Sequence, residues 1–221
     1  MQARFYFWLL VGMLWFLHTA AVYGQEQARL LLSAAPQGSH QMHMSNKSEA
    51  NGFQHIHALA MDAAGRTLFL GAHTGLFRSD DRGRSWRKLA MSTKRSNVDV
   101  MAVTPDPKEP KTVYVATHEA GVFKSTDGGT TWKEVNSGLG GMDVHGLAID
   151  PTAPQKLHAA VREKGEGVYR TTDGGGKWTR VDDGPQGEVK ILSSVNISTG
   201  MGGIFLYGGT STGLQRSPDC F

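Results

Sequence analysis

Nine histidines in 221 residues, against a single cysteine, make imidazole the group whose chemistry comes first. Imidazole titrates near neutrality, ligates transition metals and hydrogen-bonds anions. His57, His73, His118 and His145 recur through the middle of the chain, with His55, Asp99, Glu119 and Arg162 at related places. If the fold brings these places together they form a ligand-binding rim. His57, His73, His118 and His145 are then the candidate ligands for Cu or Zn. If the fold keeps them apart, they are solvated loop side chains and no cofactor is expected. Earlier in the chain, His40-Gln-Met-His43-Met44 adds the Met/His mixture that suits Cu(I).

Other chemistries find less support. Glycoside hydrolysis by the usual route needs two facing carboxylates, and Asp99, Glu119 and Glu163 are the acids available at the rim. Tyr114, Tyr169 and Tyr207 sit inside strand-like runs, where packing accounts for them. Asp62, Asp106 and Asp150 end such runs, where turn formation is the simpler role. Asp173-Gly-Gly-Gly176 belongs to a hairpin and opens no helix, so it is no phosphate loop. No catalytic residue is assigned. Cys220 excludes an intrachain disulfide framework and a Cys-based zinc site. A formal charge of +3, from 23 basic and 20 acidic residues scattered along the chain, excludes a nucleic-acid binder. The basic cluster Arg82, Arg84, Arg87, Lys88, Lys94 and Arg95 reads as a solvated edge, or as a dock for an acidic partner.

The elements that position these residues follow from a repeat. Three segments align without gaps: Gly75 to Trp86, Gly121 to Trp132 and Gly167 to Trp178. Their aspartates, Asp81, Asp127 and Asp173, are 46 residues apart, and Asp219 continues the series behind Ser217. Each copy reads as four short strands, because runs rich in β-branched and aromatic residues alternate with Gly and Asp clusters. In the first copy these are 57–62, 67–73, 75–79 and 85–89. A later copy gives 100–103, 112–116 and 121–124, the next gives 146–149, 156–160 and 167–170, and the last gives 204–207 and 213–216. Four strands at a period near 45 predict an all-β propeller with three complete blades and a fourth, incomplete one. An up-and-down meander sets the start of each first strand beside the turn after each second strand, with the Asp turns at the opposite end.

The marker residues are Ser79, Asp81, Gly83 and Trp86; Ser125, Asp127, Gly129 and Trp132; and Thr171, Asp173, Gly175 and Trp178, with Ser217 and Asp219 in the last copy. This pattern, Ser/Thr-x-Asp-x-Gly-x-x-Trp, resembles the BNR or Asp-box repeat over roughly residues 55–221. Turn chemistry explains it: an Asp side chain accepts backbone N–H groups, and Gly takes φ > 0. The tryptophans are expected between neighbouring blades. The chain resembles photosystem II assembly and stability factor-like proteins and the sortilin- and sialidase-type Asp-box propellers. The first two groups imply a scaffold for a protein partner. The sialidase likeness implies a glycosidase acting on a glycan, yet the arginine cluster that sialidases use is missing here.

Residues 1–24 are expected to be a signal peptide, with Arg4 ahead of the apolar run Phe5 to Leu17 and small residues from Thr19 to Gly24. Cleavage would leave no stable membrane span and place the protein in a periplasm or outside the cell; the alternative is a retained N-terminal anchor. Residues 25–54 read as a mostly unstructured lead-in with a strand-length run at 28–34. That run could close the ring by pairing with 213–216. Alternatively the open blade edge could pair with a second copy in a homodimer, or the chain could be a shortened form of a protein with more blades.

Overall fold

The computed structural model describes residues 53–91, 98–181, 188–195 and 205–217. The expected signal segment, the closing strand at 28–34, nearly all of the lead-in and Asp219 lie outside them. Every regular element among the described residues is a β-strand.

The strands form four blades in chain order. Blade one holds β1 (Ile56–Met61), β2 (Leu68–Ala72), β3 (Gly75–Ser79) and β4 (Arg87–Lys88). Blade two holds β5 (Val100–Pro105), β6 (Val113–Thr117), β7 (Gly121–Ser125) and β8 (Lys133–Glu134). Blade three holds β9 (Val144–Ile149), β10 (Leu157–Val161), β11 (Gly167–Thr171) and β12 (Thr179–Val181). Blade four holds β13 (Val189–Val195), β14 (Phe205–Thr210) and β15 (Gly213–Arg216). All pairings are antiparallel between sequence neighbours, so each blade is a meander. The protein is a β-propeller of the expected kind, with three complete blades and a fourth of three strands.

The fourth strands are shorter than expected, two residues in place of 85–89 in blade one, although Leu89 N–H still bonds Leu76 O at 2.8 Å. The first strands of blades two and three are longer than expected, that of blade one is displaced by one residue, and a register shift lies between Ile56 and Ala58, Val100 and Ala102, and Val189 and Ile191, with its counterpart at the Val144 end of β9. Such a shift inserts a residue and re-aims the side chains before it.

The core lies in the seams between blades. Strands β6 and β10 are buried along their whole length, as expected of central strands covered on both faces. Each blade has an entry face toward the blade before it and an exit face toward the next. At the first seam Phe69 and Leu76 meet Val100, Val103 and Val115. At the second, Tyr114, Val122 and Val135 meet Leu147, Ile149 and Tyr169. At the third, Ala148, Ala160 and Val168 meet Val189, Leu192 and Leu206. The inner strands approach closely: a Cβ on Gly146 would lie 2.8 Å from the Leu192 backbone nitrogen, so only a hydrogen fits there.

Candidate functional site

The rim residues come from two recurring places. Asp99, Asp143 and Glu188 each precede the first strand of their blade by one residue. His73, His118 and Arg162 each follow the second strand of theirs. Across every seam a basic side chain of one blade meets the acid of the next. His73 Nδ1 lies 2.8 Å from Asp99 Oδ2, His118 Nδ1 lies 2.7 Å from Asp143 Oδ1, and Arg162 pairs with Glu188. The same acids hold their own blades through the backbone, where His118 N–H donates to Asp99 O at 2.9 Å and Arg162 N–H to Asp143 O at 2.8 Å. Asp99 and Asp143 thus each tie two blades, the carbonyl bonding within the blade and the carboxylate across the seam.

Two further histidines complete this band. His57 Nε2 lies 3.3 Å from Asp99 Oδ1, and His145 Nε2 lies 2.8 Å from Asp143 Oδ1. Arg162 Nη1 reaches both ring nitrogens of His145 at 3.2 Å. His118 Nε2 is 3.7 Å from Glu119 Oε1, and the His55 and His73 rings stand edge to face at 6.1 Å. The eight rim residues therefore fall into two clusters, one on Asp99 and one on Asp143. Sequence reasoning set His57, Asp99 and His145 at equivalent starts. In the folded register His57 and His145 are equivalent, Asp99 precedes that place by two residues, and its true counterparts are Asp143 and Glu188. The register shift hid these two acids; the signal that finds them is an acid followed by Val before each first strand.

The electrostatics follow this pairing. The hydrogen bond to Asp143 raises the His118 pKa above its ordinary value, outweighing partial burial. Burial pushes His145 the other way, favouring its neutral form despite the same carboxylate. Each cluster holds three ligand atoms within 4.8 Å of one another, His57, His73 and Asp99 in one and His118, Asp143 and His145 in the other. Two imidazoles and a carboxylate are donors that Zn or Cu accepts. At 2.7 to 2.8 Å, the Asp143 contacts are also direct charge-assisted hydrogen bonds.

The Asp turns lie at the other end of the strands and serve the fold. Ser79, Ser125 and Thr171 hydroxyls accept the N–H of Gly83, Gly129 and Gly175 at 2.8, 2.8 and 3.1 Å and donate to Asp81, Asp127 and Asp173. The aspartates accept N–H groups four residues on, from Ser85, Thr131 and Lys177. The hydroxyl's part was missed in the sequence, where the Asp alone was expected to close the turn. Bonds from Ser85 hold the Asp81 carboxyl down to about 2. Gly83, Gly129 and Gly175 have φ of 85°, 90° and 94°, the left-handed region expected of them. Trp178 is buried and its indole donates to Val135 O of the preceding blade at 2.7 Å. Trp132 is half-buried at the first seam, and Trp86 packs with Phe53 and Phe77 on the entry face of blade one. Ser217 is buried at the same place in blade four.

Serial four-stranded blades, Asp-box turns and tryptophans at the seams define the class as an Asp-box β-propeller. Residues 74–187, just over half of the chain, match the family model described as "Sortilin, neurotensin receptor 3", and the chain belongs to this Sortilin-Vps10 family. No curated protein sequence matches it. Solved structures with the same fold include an ancestral GH74 enzyme, 18% identical with a TM-score of 0.58, covering 76% of this chain and 23% of that one. YCF48 bound to D1 peptide is 14% identical with a TM-score of 0.53, covering 72% and 48%. A chain of the nidogen/laminin complex is 13% identical with a TM-score of 0.58, covering 74% and 60%. This chain thus spans less than two thirds of each of these structures. Both enzymes and binding proteins share the fold.

Proposed function

We propose that this protein is an exported, non-catalytic binding module whose rim receives a protein partner. The observation that carries the reading is the pairing at the seams. Asp99, Asp143 and Glu188 are each engaged by an imidazole or guanidinium of the preceding blade, so these acids of the rim hold the blades together. Asp62, Asp106 and Asp150 in turn accept the N–H groups of their own turns. A glycosidase needs one acid kept protonated and a second facing it, and carboxylates held by cations suit neither role. Exposed side chains remain above this layer, among them Glu119 and Glu163. YCF48 with its peptide and nidogen with laminin are precedents for partner binding on this fold. Export rests on Arg4 and the apolar run that follows it.

Selection from a random-peptide display library tests the reading. We expect peptides whose binding is lost in Glu119→Lys while the thermal midpoint is kept. Turnover of a chromogenic glycoside panel that Glu119→Gln abolishes would replace this reading with the hydrolase. The two His/Asp clusters also admit Cu or Zn, and calorimetric titration of the purified protein with each ion decides that point separately.

A further inference from the structure

The two histidine clusters of the rim share a donor set but differ as places for a metal ion. In the Asp143 cluster both imidazoles are spent on direct hydrogen bonds. His118 Nδ1 and His145 Nε2 meet the same oxygen, Asp143 Oδ1, at 2.7 and 2.8 Å. The Arg162 guanidinium stands 3.2 Å from both ring nitrogens of His145. A dication bound there would lie beside a fixed positive charge, among side chains only 8% and 11% exposed, where like charges repel strongly. Asp143 Oδ2 lacks a hydrogen bond among the described residues, but the imidazoles engage the other oxygen and Arg162 already supplies positive charge beside the cluster. This cluster is a clasp.

The Asp99 cluster meets neither obstacle. Among the described residues no Arg or Lys pairs with Asp99, whose side-chain contacts are His57 and His73. His57 Nε2 lies 3.3 Å from Asp99 Oδ1 without the alignment of a hydrogen bond, so this buried oxygen has none among the described residues. A buried carboxylate oxygen left in that state calls for a partner, and a cation is one. Donors around a tetrahedral ion with bonds of about 2.1 Å stand about 3.4 Å apart, which the His57 contact matches. The three ligand atoms lie within 4.8 Å of one another, and the His73 and His57 side chains are 60% and 28% exposed, so an ion can enter from solvent. We propose that His57, His73 and Asp99 form a divalent transition-metal site, with Zn2+ its best fit, and that the Asp143 cluster does not. Two imidazoles and one carboxylate leave a fourth position for water or for a donor from a bound molecule. His57 and His73 belong to blade one and Asp99 to blade two, so the ion ties the first seam in place of the His73–Asp99 hydrogen bond. The site goes beyond the rim reading and stands without it.

Titration of the full chain with Zn2+ tests it, with His40→Ala and His43→Ala in the background to remove the imidazoles of the lead-in. Calorimetry should find one ion per chain, and the ion should raise the thermal midpoint. His57→Ala changes a partly exposed ring that makes no aligned hydrogen bond to Asp99, so it should keep the metal-free midpoint. It should lose both the bound ion and the rise in midpoint. His118→Gln, in the other cluster, should still bind one ion. No binding, two ions per chain, or one ion indifferent to His57→Ala overturns the proposal. An ion lost in His118→Gln and kept in His57→Ala also overturns it and moves the site to Asp143. A metal-free rim that still selects peptides would leave the partner reading in place.

Discussion

Single side chains set two opposite responses to pH. His158 lies in β10 with its ring buried, and burial drives its pKa down to about 3. Between the unfolded value near 6.5 and that folded value the unfolded chain binds a proton that the native state refuses. Stability therefore falls as pH falls through this window. His118 works in reverse. Its folded pKa is raised, so its contribution is whole below the unfolded value and is lost as pH rises through the folded one. Urea unfolding of His158→Leu should show a flatter decline than wild type between about pH 6.5 and about pH 4. His118→Gln should leave that decline intact and remove the loss on the alkaline side of the raised pKa. A separate case is Ser125, whose buried hydroxyl accepts the Gly129 N–H. Ser125→Ala leaves that buried donor unpaired and should cost about 1–3 kcal/mol in the same assay.

Among elements, the Asp turn and its tryptophan act as a hook on the blade before. Trp178 enters the second seam fully, donates its indole N–H to Val135 O, and donates its backbone N–H to Ser137 O. Among the described residues Trp86 meets no other blade and rests on Phe53 and Phe77. Truncation should reflect this difference. Trp178→Ala is expected to cost about 3–5 kcal/mol, and Trp86→Ala about 1–2 kcal/mol because its ring is only half-buried. Chemical denaturation of the two variants side by side checks the order. The hook was legible in the sequence because Ser/Thr, Asp, Gly and Trp recur in fixed spacing with a turn mechanism behind each. The clasp at the rim was legible only in part. Its acids stand 44 or 45 residues apart, at 99, 143 and 188, while the turn markers stand 46 apart, so aligning on the markers slides the rim out of register. The inserted residue in each first strand compounds this, and periodicity alone carries no sign of it. Glu188 was missed for the further reason that β13 has polar residues at Lys190, Ser193 and Ser194, which blur its strand pattern.

On the scale of the molecule, stability should grade along the array. Among the described residues the main contacts of each blade are with its neighbours in sequence, the arrangement in which local openings start at the ends. Strands β6 and β10 sit between two seams, whereas β1 and β15 each border one. Native-state hydrogen exchange should find the slowest amides in β6 and β10 and the fastest strand amides in β1 and β15. Uniform protection across the four blades would contradict the graded picture.

The clasp between blades has a fixed sense, basic group first and acid second, at all three junctions. Anyone grafting an extra module into this chain therefore faces a connector with a plug and a socket. The newcomer must bring a carboxylate just ahead of its opening strand and an imidazole or guanidinium just past its second. A module inserted with these swapped would set like beside like at both joints.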